Sequence, residues 1–173
     1  MFRNKVLLVG LVCAAPVVLG WVAYYFHWET GRSGNYGELI SPPRPLTAPA
    51  IQAHRGKWIF VVFDRANCDA ACENKLYVVR QVRRAQGKEM DRMARLWLMT
   101  DDSNPRSELV MAIDGTQLAR SDRALEAQFP GNVAERIYLV DPLGNLMMSW
   151  PASPDPSRMI KDLQRLLRYS RFG

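Results

Sequence analysis

The stretch KWIFVVFDRANCDAAC, Lys57 to Cys72, decides the fold. Lys57 to Phe63 is a short apolar run rich in β-branched and aromatic residues, set after the turn-like pair Arg55-Gly56, and it reads as a strand buried on both faces. Asn67 offers a helix N-cap. Cys72, Leu76, Val79 and Val82 then recur at spacings of four and three, with Lys75, Arg80, Arg83 and Arg84 between them. Residues 68–86 are therefore expected to form an amphipathic helix closed by Gly87. This order puts Cys68 and Cys72 where the chain leaves the sheet, at an accessible lip.

Downstream, ARLWLMT from Ala94 to Thr100 is a second strand ending in Asp101-Asp102, and a short helix is predicted over 105–112 before the Asp114-Gly115 turn. Arg136–Val140 and Leu146–Trp150 are two more strands, joined by Asp141-Pro142-Leu143-Gly144-Asn145, a connection of hairpin length. From Pro154 to Tyr169, Met159, Ile160, Leu163, Leu166 and Leu167 keep helical spacing with basic residues opposite, which predicts a final helix covering the sheet. The order β-α-β, short helix, β-hairpin, α predicts an α/β thioredoxin-like layered fold, whose chemistry sits at the first βα turn of a central strand. No internal repeat occurs.

Upstream, Val6 to Phe26 are 21 residues without a charge. About 20 helical residues, at about 1.5 Å each, cross a hydrocarbon core. One N-terminal transmembrane helix is expected, with residues 1–28 as the membrane anchor. A cleaved signal peptide fits less well, because Cys13-Ala14-Ala15 is followed by Pro16 and the apolar run continues beyond it. Arg3 and Lys5 precede the span, whereas His27, Glu29 and Arg32 follow it, so the positive-inside rule keeps the N-terminus cytoplasmic. The expected location is a bacterial inner membrane, crossed once, with the domain in the periplasm. Trp21, Tyr24, Tyr25 and Trp28 suit the outer interface. Residues 29–50, rich in proline and glycine, read as a tether, and residues 51–173 as the folded domain.

Composition narrows the function classes. Arg3 and Lys5 are two of 23 basic residues, so beyond the anchor 21 bases face 17 acids, a net charge of +4. That is well short of a nucleic-acid-binding tail. Three cysteines exclude a disulfide-dense scaffold and a four-cysteine zinc site.

The pair Cys68 and Cys72 carries the chemistry. Four residues apart in a helix, their Cβ atoms would be about 5–6 Å apart on one face. A disulfide needs about 3.5–4.5 Å, so closing one would deform the first turn, whereas two thiolates can chelate a soft metal with less movement. Both chemistries stay open. Cys68, nearer the helix N-terminus, is expected to be the more nucleophilic thiol, helped by Arg65 and opposed by Asp69. Two inert buried cysteines are the plain alternative.

The strand KWIFVVFD leading into CxxxC, the strand ending in Thr100-Asp101-Asp102, and IYLVDPLGN from Ile137 to Asn145 resemble the Sco/SenC family. The resemblance spans residues 51–170 and extends to the N-terminal anchor. It implies a membrane-tethered, thioredoxin-fold protein that helps assemble the copper centre of cytochrome c oxidase. In that family two cysteines and a distant histidine bind copper. Here the histidine position is Val133, and Glu73 replaces the proline that follows the second cysteine. His27 and His54 are the only imidazoles, and His54 belongs at the opposite end of the sheet from Cys68. Met99, Met147 and Met148 are thioether candidates for Cu(I), although methionine at such spacing usually fills a core.

Loss of the imidazole removes the ligand best suited to Cu(II) and leaves dithiol chemistry intact. The leading expectation is an assembly factor that uses Cys68 and Cys72 in thiol–disulfide exchange on copper-site cysteines. Its partner would be the copper-bearing oxidase subunit or another assembly factor, with transient Cu(I) transfer through the same sulfurs as a variant. A non-catalytic tethered scaffold and a general extracytoplasmic dithiol oxidoreductase are the alternatives. Lys161, Arg165, Arg168 and Arg171 form a basic helical face suited to anionic lipid, to an acidic patch on the oxidase, or simply to water. A peroxiredoxin would carry Thr or Ser where Arg65 stands. No P-loop, dinucleotide glycine pattern, serine elbow or paired-histidine motif occurs. Asp101 and Asp102 read as a solvated turn rather than a hard-cation site.

Overall fold

The computed structural model describes residues 2–25 and 34–170, without the side chains of 2–4, 6–8, 10 and 23. His27, Trp28, Glu29, Arg32, the first part of the expected tether (29–33) and Arg171 lie outside the described residues. The chain divides into two compact units, residues 1–34 and 35–173.

The first unit holds helix α1, Phe2–Tyr25, which contains Pro16. Its described apolar side chains, among them Val9, Leu11, Val17 and Leu19, are exposed, and Trp21 stacks on Tyr25 with ring centroids 5.9 Å apart. Among the described residues, which leave gaps in this run, no helix is long and apolar enough to cross a membrane.

The second unit is built on six strands: β1 (Glu38–Pro45), β2 (Trp58–Asp64), β3 (Met93–Met99), β4 (Gln117–Arg120), β5 (Arg136–Val140) and β6 (Asn145–Pro151). Their order across the sheet is β1-β6-β5-β2-β3-β4. The strands β2, β3 and β4 run parallel, while β5 pairs antiparallel with β2, β6 with β5 and β1 with β6. Parallel neighbours need crossovers, and the helices α3 (Ala70–Arg84) and α4 (Ser107–Ala112) supply them. The short helices α2 (Pro49–Gln52) and α5 (Arg123–Glu126) and the terminal α6 (Pro156–Tyr169) complete the unit.

Because successive strand side chains face opposite ways, β2 feeds two cores. Phe60 and Val62 join Trp97, Trp150 and residues of α3 and α6 on one face. Ile59, Val61 and Phe63 join Leu46, Ile51, Leu125 and Phe129 on the other. With both faces covered, β2 is buried from Trp58 to Phe63, as its apolar run requires. Truncating Phe60, fully buried between sheet and helices, to alanine would cost about 3–5 kcal/mol.

The sheet matches the expected thioredoxin-like α/β order and adds β1 and β4. The reading of residues 35–50 as tether is corrected: β1 pairs with β6 through Glu38 opposite Ser149 and Leu39 opposite Met148. The folded unit thus begins at Asn35 rather than Ile51. Asp162 of α6 fixes this beginning. Its buried carboxylate accepts N–H bonds from Tyr36 (3.0 Å), Gly37 (2.7 Å) and the Trp150 indole (3.1 Å). Gly37 is needed for that approach, since a Cβ there would lie 2.5 Å from Trp150 Nε1. The helix after β2 also starts later than expected, at Ala70, with Asp69 rather than Asn67 as its N-cap.

Candidate functional site

Five residues, 65–69, link the end of β2 to the start of α3, at the carboxyl end of a strand in the middle of the sheet. Three hydrogen bonds shape this turn. The Cys68 N–H donates to Arg65 O (3.1 Å), Ala66 N–H to Asp101 Oδ1 (2.8 Å), and Cys72 N–H to the N-capping Asp69 Oδ1 (2.9 Å). Cys68 therefore precedes the N-cap and Cys72 sits in the first turn. The two form a disulfide with Cα atoms 5.2 Å apart. The helical deformation expected from their spacing is unnecessary, because Cys68 is not helical.

The expectation of an accessible lip is corrected for this disulfide form. Cys68 is 2% and Cys72 0% exposed, and both belong to the apolar cluster that includes Ala66, Leu76, Met99 and Leu109. Arg106, at the N-cap of α4, spans the turn: its guanidinium donates to Cys68 O (3.0 Å) and pairs with Glu73 of α3. The cation next to Cys68 is thus Arg106. Arg65, the expected neighbour, is largely exposed and lies 4.0 Å from Asp101. Beside the turn, α3 and α4 enclose an open cleft of about 380 Å³ lined by Glu73, Asn74, Tyr77, Arg80, Leu109 and Ile113.

Two acids support the turn from below. Asp101 accepts from Ala66 N–H and from the Ser103 hydroxyl. The Ala66 hydrogen bond, with help from Ser103, Arg65 and Arg120, holds the Asp101 carboxyl below the usual carboxylate value. Asp64 accepts from Arg65 N–H and pairs with Lys75 at 2.6 Å. Lys75 lies one turn beyond Cys72 with its side chain buried, and its ammonium also donates to the carbonyls of Phe63 and Ala134. The spacing Cys72, Lys75, Val79, Val82 could have flagged this lysine, since it falls on the apolar stripe rather than between its members.

The segment before β5, where the family resemblance put the third-ligand position at Val133, is held in three ways. Tyr138 Oη donates to Pro130 O (2.6 Å), Lys75 donates to Ala134 O, and Ala152 N–H donates to Glu135 O (2.8 Å). Val133 packs against the core of Ile59, Phe63 and Phe129, on the other side of the sheet from the cysteines. His54 lies in the turn before β2, at the sheet end away from Cys68, and burial together with Lys57 lowers its pKa. Of the methionines, Met99 and Met148 are buried in the same apolar cluster as the cysteines, and Met147 packs against it. Among the described residues no group of three or more His, Cys, Asp or Glu side chains is gathered as for a metal ion. Among the described residues the donor set at the turn is the two cysteine sulfurs, with His54 at the other end of the sheet.

A disulfide between a central strand and a helix N-terminus defines a thioredoxin-fold dithiol–disulfide site. Cys68 lies just before the α3 N-terminus, and the Arg106 guanidinium is held at its carbonyl oxygen while paired with Glu73.

The family model for the transmembrane-like, thioredoxin-like C-terminal domain matches residues 58–170, and the chain belongs to that family. Solved structures share the fold. Apo Sco1 from Thermus thermophilus superposes with a TM-score of 0.60 at 15% identity, covering 76% of this chain and 96% of that one. Yeast Sco1 with copper bound gives 0.60 at 13% identity, covering 69% and 84%. BsSco, described with a disulfide switch as a member of the Sco family of cytochrome c oxidase assembly proteins, gives 0.52 at 13% identity, covering 79% and 96%. The Sco resemblance read from the sequence thus extends to the fold. No curated protein sequence matches the chain.

Proposed function

We propose that this protein is a membrane-anchored assembly factor for cytochrome c oxidase that acts by thiol–disulfide exchange on the copper-site cysteines of a partner. The observation that carries the reading is the Cys68–Cys72 disulfide at the βα turn, beside the α3–α4 cleft. Its support from outside the chain is the fold shared with Sco1 and BsSco, the latter described as having a disulfide switch. The anchor rests on the uncharged run Val6–Phe26 and on helix α1, and the periplasmic placement on the positive charges before it.

In the exchange, the reduced Cys68 thiolate attacks one sulfur of a partner disulfide and displaces the other as thiolate. Cys72 then attacks Cys68, which closes the Cys68–Cys72 disulfide and frees the second partner sulfur. Two electrons pass to the partner, whose thiols are then free to take copper. A dithiol reductant of the same compartment restores the Cys68–Cys72 pair. Copper enters this scheme as cargo. Two thiolates can carry Cu(I), which accepts soft ligands and low coordination. Val133 adds no ligand on either side of the sheet.

The test is a Cys68→Ser, Cys72→Ser double substitution in the full chain. Exchange predicts loss of assembled oxidase activity in cells, and unchanged activity would point to a scaffold. Anaerobic Cu(I) titration of the reduced full chain separates the carrier variant, which requires one tightly held Cu(I) per chain, abolished by either single substitution.

A further inference from the structure

We propose that the end of the second unit opposite the disulfide docks on an anionic lipid surface, so that Cys68 points away from the bilayer. This rests on the anchor in the proposed function. In α6, Lys161, Arg165 and Arg168 fall within an arc of about 60° at about 3.6 residues per turn, and all three are exposed. They line a hollow of about 300 Å³ with Tyr169. The only acid within α6, Asp162, faces inward and is occupied by three N–H donors.

Next to the basic face lies an apolar groove of about 480 Å³, walled by Leu39, Trp58, Leu143, Met147 and Tyr169. Leu39, Leu143 and Tyr169 are 47%, 55% and 78% exposed. Asp141 at its edge is taken up by the N–H groups of Leu143 and Asn145. Exposed apolar side chains rimmed by guanidinium groups match the two layers of a bilayer interface, headgroup phosphate and the start of the acyl region.

Covalent geometry favours the lipid over other occupants. Asn35 lines the groove and accepts a hydrogen bond from Arg165 (3.2 Å), so the folded unit starts on this patch. Eight residues, 27–34, separate it from the uncharged run ending at Phe26. At about 3.3–3.6 Å per residue they span at most about 30 Å, which keeps this end near the membrane. The groove opens at the start of β2 and the disulfide lies beyond its end, so docking here turns the βα turn and the α3–α4 cleft away from the bilayer.

The test uses the full chain in lipid discs of phosphatidylcholine alone, or of phosphatidylcholine mixed with phosphatidylglycerol. A water-soluble acylating reagent modifies lysines, and mass spectrometry follows the acylation rate of Lys161 on each disc. Docking predicts several-fold slower acylation of Lys161 on the mixed discs than on phosphatidylcholine alone. The difference disappears in high salt and in an Arg165→Gln, Arg168→Gln variant. Equal reaction on both discs, with the chain retained through an alkaline wash, overturns the docking and leaves the anchor standing. Equal protection on both discs also overturns it, since charge would not be what is recognised. A chain washed from the discs overturns the anchor and the docking together.

Discussion

Lys75 Nζ lies 2.6 Å from Asp64 Oδ2, and the same ammonium donates to the carbonyls of Phe63 and Ala134. One buried cation thereby joins the end of β2, the helix that carries Cys72, and the segment before β5. Removing it strands a carboxylate that is only 18% exposed and two carbonyls. Lys75→Met is therefore expected to cost about 2–4 kcal/mol, read by urea unfolding of the oxidised protein. A loss within experimental error would mean that the three elements are held by packing alone.

Arg106 is the cover over Cys68. Its pairing with Glu73 is solvent-exposed and contributes at most about 1 kcal/mol. Arg106→Ala should leave the unfolding midpoint nearly unchanged and speed reduction of the disulfide by a small dithiol several-fold, followed by stopped flow. The same rate in both proteins would show that access is set elsewhere, for instance by the packing of Leu109.

Val133 faces the core opposite the cysteines, and Lys75 and Tyr138 hold its segment. Introducing the imidazole by Val133→His should leave Cu(I) affinity, measured by competition with a coloured chelator, within a few-fold of the parent. A large gain would mean that the segment swings across the sheet end despite those bonds.

Asp101 supplies a pH signature. Its carboxyl is held below the ordinary value of 3.8, chiefly by the Ala66 N–H. A depressed folded value means that the contribution is present in full above 3.8 and is lost as pH falls through the lower folded value. The stability advantage of the parent over Asp101→Asn should shrink in that window and be constant at neutral pH. A gap that persists unchanged below it would assign the effect to packing rather than charge.

Much of this was legible in the chain. Strand β2 was visible because a strand covered on both faces must be apolar throughout, and α3 and α6 because their buried stripes keep helical spacing. The strand β1, ELISPPRP, was hidden by three prolines, which lack the N–H a ladder uses. It is tolerated because it lies at the sheet edge and pairs only with β6. Four-residue, half-exposed β4 left no apolar run to read. The cysteine pair was evident from its spacing, but its burial was not. Arg106 lies 38 residues away in sequence and reaches Cys68 only because α4 packs beside α3.

The central claim is that Cys68 attacks and Cys72 resolves. The direct measurement is trapping: full-chain Cys72→Ser, reduced, is mixed with the oxidised copper-site domain of the oxidase subunit, and disulfide-linked species are counted by mass spectrometry. The account predicts a stable mixed disulfide through Cys68 with Cys72→Ser and almost none with Cys68→Ser. Equal trapping by both variants, or by neither, would contradict it.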